Sequence, residues 1–148
     1  MRRKSKAQEY LEQIPKLNFM IENKTAEQAQ WMGVALGITA RADGERVQSS
    51  GSQQKMSDAV VCAVDLEQET AELIRTLVAK KKDIISTIEQ LNATEYDVLH
   101  KRYIQGMTFD EIGAAKGKSK SWATTVHGRA LQNLNKILEE REGGSESA

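Results

Sequence analysis

The chain has 148 residues, 39% hydrophobic and only 5% aromatic, and its 21 Lys and Arg balance its 21 Asp and Glu to zero formal charge. That length suits one or two small domains. One proline and few β-branched runs argue against a sandwich or barrel, and the single cysteine, Cys62, excludes an internal disulfide framework or a multi-cysteine zinc site and fits a reducing cytosol. The longest stretch free of charge and strong polarity, Trp31 to Ala40, falls far short of the roughly 20 residues a membrane span requires, and no signal-peptide core follows the basic start. The expectation is a protein of the cytoplasm.

The first element is a long helix. Tyr10, Ile14, Leu17, Ile21, Gln28, Trp31, Ala35 and Ile38 recur at roughly 4-3 spacing, with Lys24 in the same stripe, which puts one narrow face towards a partner helix. Pro15 cannot donate an intrahelical bond and should kink or start this helix. Gly33 and Gly37, four apart, either admit another backbone closely or mark a weak helix end. From about 42 to 56 the periodicity stops, and Ala42-Asp43-Gly44-Glu45 and Ser49 to Gln54 read as a polar, mobile connection. Ser57, followed by Asp58, is the expected N-cap of a second long helix. Its stripe is Leu66, Thr70, Leu73, Leu77, Ile84, Ile88 and Leu91, and Lys80 to Lys82 read as solvated or snorkelling. Two such helices pair most simply as an antiparallel hairpin, coiled-coil-like and thin in the core, so residues 1–92 are expected to associate with further copies.

The last third carries more signal. Thr94 with Asp97, and Thr108 with Glu111, form capping-box patterns, and Gly106 should end the intervening helix in a left-handed conformation. A short helix then holds Ile112, Gly117 ends it, and Ser119 can cap a longer helix to about Leu138, with Ala123, Val126, Ala130, Leu134 and Ile137 on one face. Short helix, glycine turn and longer helix make a helix-turn-helix. In that motif the helices cross closely, which Gly113 permits, and Ile112, Ala123 and Val126 share the apolar contact. The second helix would enter a major groove, with Lys120, Ser121, Trp122, Thr124 and Thr125 reading base edges and Lys101, Arg102, Lys118 and Arg129 on phosphates. Zero net charge hides a cancellation: residues 98–138 carry seven basic side chains against Asp110 and Glu111, for +5, and the segments on both sides are acidic. Lys116 and Lys118 stand where apolar residues usually cover the inside of the turn.

From Thr108 to Leu134 the sequence resembles region 4 of bacterial sigma factors without a gap. Thr108-Phe109-Asp110-Glu111-Ile112-Gly113 is similar to that family's Thr-Leu-Glu-Glu-Val-Gly, and Gly128-Arg129-Ala130-Leu131-Gln132-Asn133-Leu134 to its Ala-Lys-Ala-Leu-Arg-Lys-Leu. The resemblance places Lys120, Ser121, Trp122, Thr124 and Thr125 on the stretch that reads the upstream promoter element, with most of the family's Arg and Glu replaced. Nothing before Thr94 is similar to a sigma factor. The whole chain resembles small phage and prophage regulators of late transcription of the ArpU and RinA type, through Tyr10 to Ile14, Arg46 to Gly51, Lys101-Arg102-Tyr103 and His127 to Leu131. Pro15 and the two turn lysines depart from that pattern.

Trp122 either lies on DNA or covers the edge of the module's core. His100 and His127, with no cysteine or paired carboxylates nearby, make a poor metal site, and no nucleophile–base arrangement or phosphate-cradling loop is present, so neither enzyme nor cofactor is expected. The expected protein is all-α. It comprises a helical hairpin for oligomerisation (1–92, loop about 42–56), a sigma-region-4-like helix-turn-helix (93–142) and a disordered tail (143–148). The expected function is a phage-type transcriptional regulator on double-stranded DNA at the host nucleoid, homo-oligomeric and able to contact RNA polymerase. The alternatives are a small terminase subunit for DNA packaging and a polymerase-binding adaptor that does not touch DNA.

Overall fold

The computed structural model describes residues 3–44 and 50–146, and the side chains of 3–37 and 53–143. These residues form α-helices and no strand: α1 (Lys6–Gly44), α2 (Ser50–Ile88), α3 (Ala93–Leu99) running on into a π-helical turn (His100–Ile104), α4 (Phe109–Ala115) and α5 (Lys120–Glu146). The all-α architecture with a C-terminal helix-turn-helix is therefore as the periodicities indicate.

Several boundaries differ from expectation, each for a local reason. Ser5 caps α1, its hydroxyl accepting from the Gln8 N–H at 3.2 Å and its carbonyl from Glu9 at 3.0 Å, so Pro15 lies inside the helix and does not start it. α2 begins at Ser50, so Ser57 is an interior residue and not an N-cap, and the polar run from Ser50 to Met56 is helical. Of the run Arg46 to Gly51, the first four residues lie outside the described ones. α3 is capped by Asn92 and not by Thr94: the Asn92 side chain accepts from the Glu95 N–H at 2.9 Å, with Asn92 in extended conformation. Asn is as good a cap as Thr, and it stands first after the turn at 89–91. α5 continues to Glu146, beyond the Leu138 at which its apolar stripe stops.

The chain divides into two compact units, 1–16 with 77–148, and 17–76. In the first, the start of α1 and the end of α2 share a core with α3 to α5. Leu11, Ile14, Ile84, Ile88, Val98, Leu99, Ile112 and Leu134 are fully buried, each burial contributing about 1.5–3 kcal/mol. The stripe expected on α5 supplies Ala123, Val126, Ala130 and Leu134 to this core, and Ile137 is half-buried. Polar contacts hold the elements in place. The Asn135 side chain accepts from the Ala7 N–H at 2.8 Å, one of the orphan donors of the first turn of α1. The Tyr10 hydroxyl reaches Asp83 at 2.5 Å and Thr87 at 3.0 Å, and Arg141 donates to Thr87 at 3.2 Å. Buried Glu95 receives the Asn133 amide at 2.6 and 3.0 Å. No side-chain N or O among the described residues is buried without a partner.

The second unit is a pair of helical segments. Lys24 and Glu69 are joined at 2.8 Å. Lys24 lies 20 residues before the end of α1 and Glu69 lies 19 after the start of α2, so the five residues between the helices can close only an antiparallel hairpin. Its core is slight: Ala35, Ala59, Ala63 and Thr70 are buried, whereas Trp31, placed on the stripe by its spacing, is 40% exposed.

Candidate nucleic-acid interface

The turn between α4 and α5 is specified residue by residue. Thr108, extended at φ −76° and ψ 162°, accepts from the Glu111 N–H at 3.2 Å, and the Glu111 carboxylate accepts from the Thr108 N–H at 3.3 Å, a complete capping box. Gly117 ends α4 at φ +65°, a conformation costly to any residue with a Cβ, and the Lys118 N–H turns back to the Gly113 carbonyl at 2.7 Å. Ser119 then caps α5 by accepting from the Trp122 N–H at 3.0 Å. At the crossing, a Cβ on Gly113 would stand 2.7 Å from the backbone C and O of Ser119 and 3.0 Å from the Lys118 carbonyl. Only glycine admits this approach. Val98, Ile112, Ala123 and Val126 form the shared apolar cluster, with Met107, Phe109 and Trp122 packed against it. Gly106, at φ +71°, ends the π-helical turn as its sequence position indicates.

The outer face of α5 presents Lys120, Ser121, Thr124 and Thr125, all exposed. Both threonine hydroxyls donate to the Ser121 carbonyl, at 2.9 Å each, so outwards they offer a methyl group and an acceptor lone pair. Trp122 sits apart from these four, half-buried against the apolar cluster.

The basic residues divide into two groups. Lys101 and Lys116 both bind Asp97, at 2.6 and 2.5 Å. Burial pushes the Asp97 carboxyl up, but hydrogen bonds and charge from the two lysines outweigh it and hold the group below the usual carboxylate range. Arg102 donates to the Met107 carbonyl at 3.1 Å and lies 4.5 Å above the Phe109 ring, bracing the segment that leads into α4. Lys118, Lys120 and Arg129 are exposed and, among the described residues, form no ion pair. Exposed Lys136, further along α5, likewise has no ion pair among the described residues, so four of the seven basic side chains of this segment point outwards, Lys118 and Lys120 of them at the start of α5. Sequence reasoning gave Asp97 a capping role beside Thr94 and missed its place between the two lysines. Its i,i+4 spacing to Lys101 is visible in the chain, but its contact with Lys116 crosses between elements.

His127 faces inwards. Burial, with the charge of Arg102, lowers its pKa to about 4, and burial raises that of Tyr103 to about 12, with Glu12 adding to the rise and Arg102 opposing it. The protonated phenol and the neutral imidazole Nε2 therefore share a hydrogen bond at 2.8 Å, while Phe109 meets the ring edge-on at 5.0 Å. His100 contacts Gln105 at 2.9 Å. No group of three His, Cys, Asp or Glu among the described residues could hold a metal ion, and no described helix is long and apolar enough to cross a membrane.

No curated protein and no solved structure matches the chain. Residues 87–136, about a third of the chain, match the family described as Sigma-70, region 4, over the segment in which α3, α4 and the first half of α5 meet. That segment is a sigma-region-4-like helix-turn-helix, a DNA-binding fold.

Proposed function

We propose that the protein is a phage-type transcriptional regulator that docks the N-terminal half of α5 in a DNA major groove. The observation that carries this reading is the α4–α5 crossing at Gly113, which leaves the first two turns of α5 projecting with polar side chains outwards and cations on its flanks. A major groove about 12 Å wide accepts such a helix. Lys120, Ser121, Thr124 and Thr125 face the base edges, and their methyl and acceptor groups suit the thymine methyl and the amino groups of adenine and cytosine. Lys118 and Arg129 take phosphates, where the free N–H groups and dipole at the start of α5 add to the attraction. Trp122, Lys101 and Arg102 act from behind this face, the first by packing and the others by bracing the approach to α4. Residues 1–92 join subunits, so that two recognition helices visit half-sites about one helical turn apart. RNA polymerase is the partner a late regulator would contact.

The test is Lys120→Ala with Arg129→Ala. Each phosphate contact contributes about 0.9 to the slope of log affinity against log salt, so the double variant should bind duplex more weakly, through loss of the Lys120 base contact, and with a slope shallower by about 0.9, through loss of the Arg129 phosphate contact. Helicity should be unchanged. Equal affinity at low salt would remove the assignment, and polymerase capture by a chain that binds no duplex would replace it with the adaptor reading.

A further inference from the structure

The unit 17–76 leaves large apolar side chains in water at one level of its hairpin. On α1 these are Trp31, Met32, Val34 and Leu36, and on α2 Val60, Val61 and Val64, each 40–65% exposed. Neither Trp31 to Gly37 nor Ala59 to Val64 contains a charged residue. A helix apolar around its whole circumference belongs in an interior, and here two such stretches lie side by side. At 100° per residue, measured from buried Ala35, Met32 and Leu36 turn to one flank of α1, and Trp31 and Val34 to the other. Measured from buried Ala59 and Ala63, Val60 and Val64 turn to one flank of α2. Because the helices are antiparallel, Met32, Leu36, Val60 and Val64 share the same side of the hairpin.

We infer that this four-residue side is a homotypic interface, covered by the same side of a second copy of the chain to give a four-helix bundle. The inference deepens the reading that the N-terminal half joins subunits, by naming the surface. The four side chains present roughly 350 Å² of apolar surface per copy, most of the apolar share of a standard interface of about 800 Å² per partner. Nothing in these turns offers a charge to recognise a different protein. A two-fold axis along the hairpin sets α1 of one copy over α2 of the other, so that long Met32 and Leu36 face short Val60 and Val64. Such a contact is isologous and closes at two subunits. The outward-facing Gly33 and Gly37, with nothing within 4 Å of an added Cβ, lie outside this contact.

The experiment is sedimentation equilibrium of the full chain at about 10 µM without DNA, so that it reads assembly alone and a failure of DNA binding does not affect it. Wild type should sediment at twice the mass of the chain, and Leu36→Lys with Val64→Lys at the mass of the chain, with unchanged helicity. If the lysine pair loses helicity, Leu36→Gln with Val64→Thr decides, with an expected dimer dissociation constant at least tenfold higher. A monomeric wild type, or either folded pair with undiminished dimerisation, overturns the inference.

Discussion

Replacing Gly113 by alanine inserts one methyl group where α4 meets the peptide of Ser119. The added Cβ would lie 2.7 Å from two backbone atoms, against an ordinary carbon contact of about 3.5–4.0 Å, so the helices must separate by nearly 1 Å or tilt. No flexible side chain can yield, because the obstructing atoms are main chain. Overpacking of this kind costs about 1–3 kcal/mol, offset by the 0.5–1 kcal/mol or so that alanine gains over glycine inside a helix, leaving a net loss of about 1–2 kcal/mol. Gly128 is the control. It lies exposed in α5 with nothing within 4 Å of its added Cβ, so Gly128→Ala should stabilise by about 0.5–1 kcal/mol. The two identical chemical changes therefore have opposite signs and differ by about 2 kcal/mol. Urea unfolding followed by circular dichroism, compared at unchanged m-value, measures both. A Gly113→Ala protein as stable as Gly128→Ala would refute the close crossing and the motif built on it.

Asn92→Ala should cost about 1 kcal/mol of stability through loss of the α3 cap, and Thr94→Ala much less, which denaturant midpoints of the two variants will order. His127 has a folded pKa of about 4, below the 6.5 of the free side chain, so the unfolded state takes up the proton first. Its contribution is complete above about pH 6.5 and falls away towards pH 4, a loss of about 2 kcal/mol after discounting for its partial exposure. Thermal unfolding from pH 7 to 4.5 should show this decline, and His127→Phe should flatten it. Asp97→Asn removes the carboxylate that holds Lys101 and Lys116, so binding to a random duplex at low salt should strengthen and its salt slope steepen by up to about 1.8 if both lysines reach phosphate. An unchanged slope would place both lysines out of reach of DNA.

The helix-turn-helix was legible because its determinants are local. The Thr108–Glu111 box, the left-handed Gly106 and Gly117, the small residue at 113 and the Ser119 cap all act within a few residues of themselves, and each stands where its spacing indicated. Start points on the long helices were less legible. Asn92 and Thr94 are both competent caps, and only the turn at 89–91 makes the earlier one first in line. Likewise Ser57 has the chemistry of a cap, but the residues before it already form helix. Partners distant in the chain carried no sequence signal. Periodicity showed that Ile14, Ile84 and Ile88 face something, but not that they share a unit with α5, and it passed over fully buried Leu11, which lies off the stripe. Spacing also put Trp31 on the stripe, where the alanine-lined hairpin leaves it exposed. In the site, charge counting overstated the outward cations, because Lys101, Lys116 and Arg102 have partners inside the module.

The central claim is that the start of α5 reads a major groove. Genomic fragments retained by the full chain can be probed with dimethyl sulfate, which methylates guanine N7 in the major groove and adenine N3 in the minor groove. The account predicts protein-dependent protection of guanine N7 within the retained site, lost in the Lys120→Ala, Arg129→Ala variant. Protection confined to adenine N3, or none at all on a bound fragment, would contradict it.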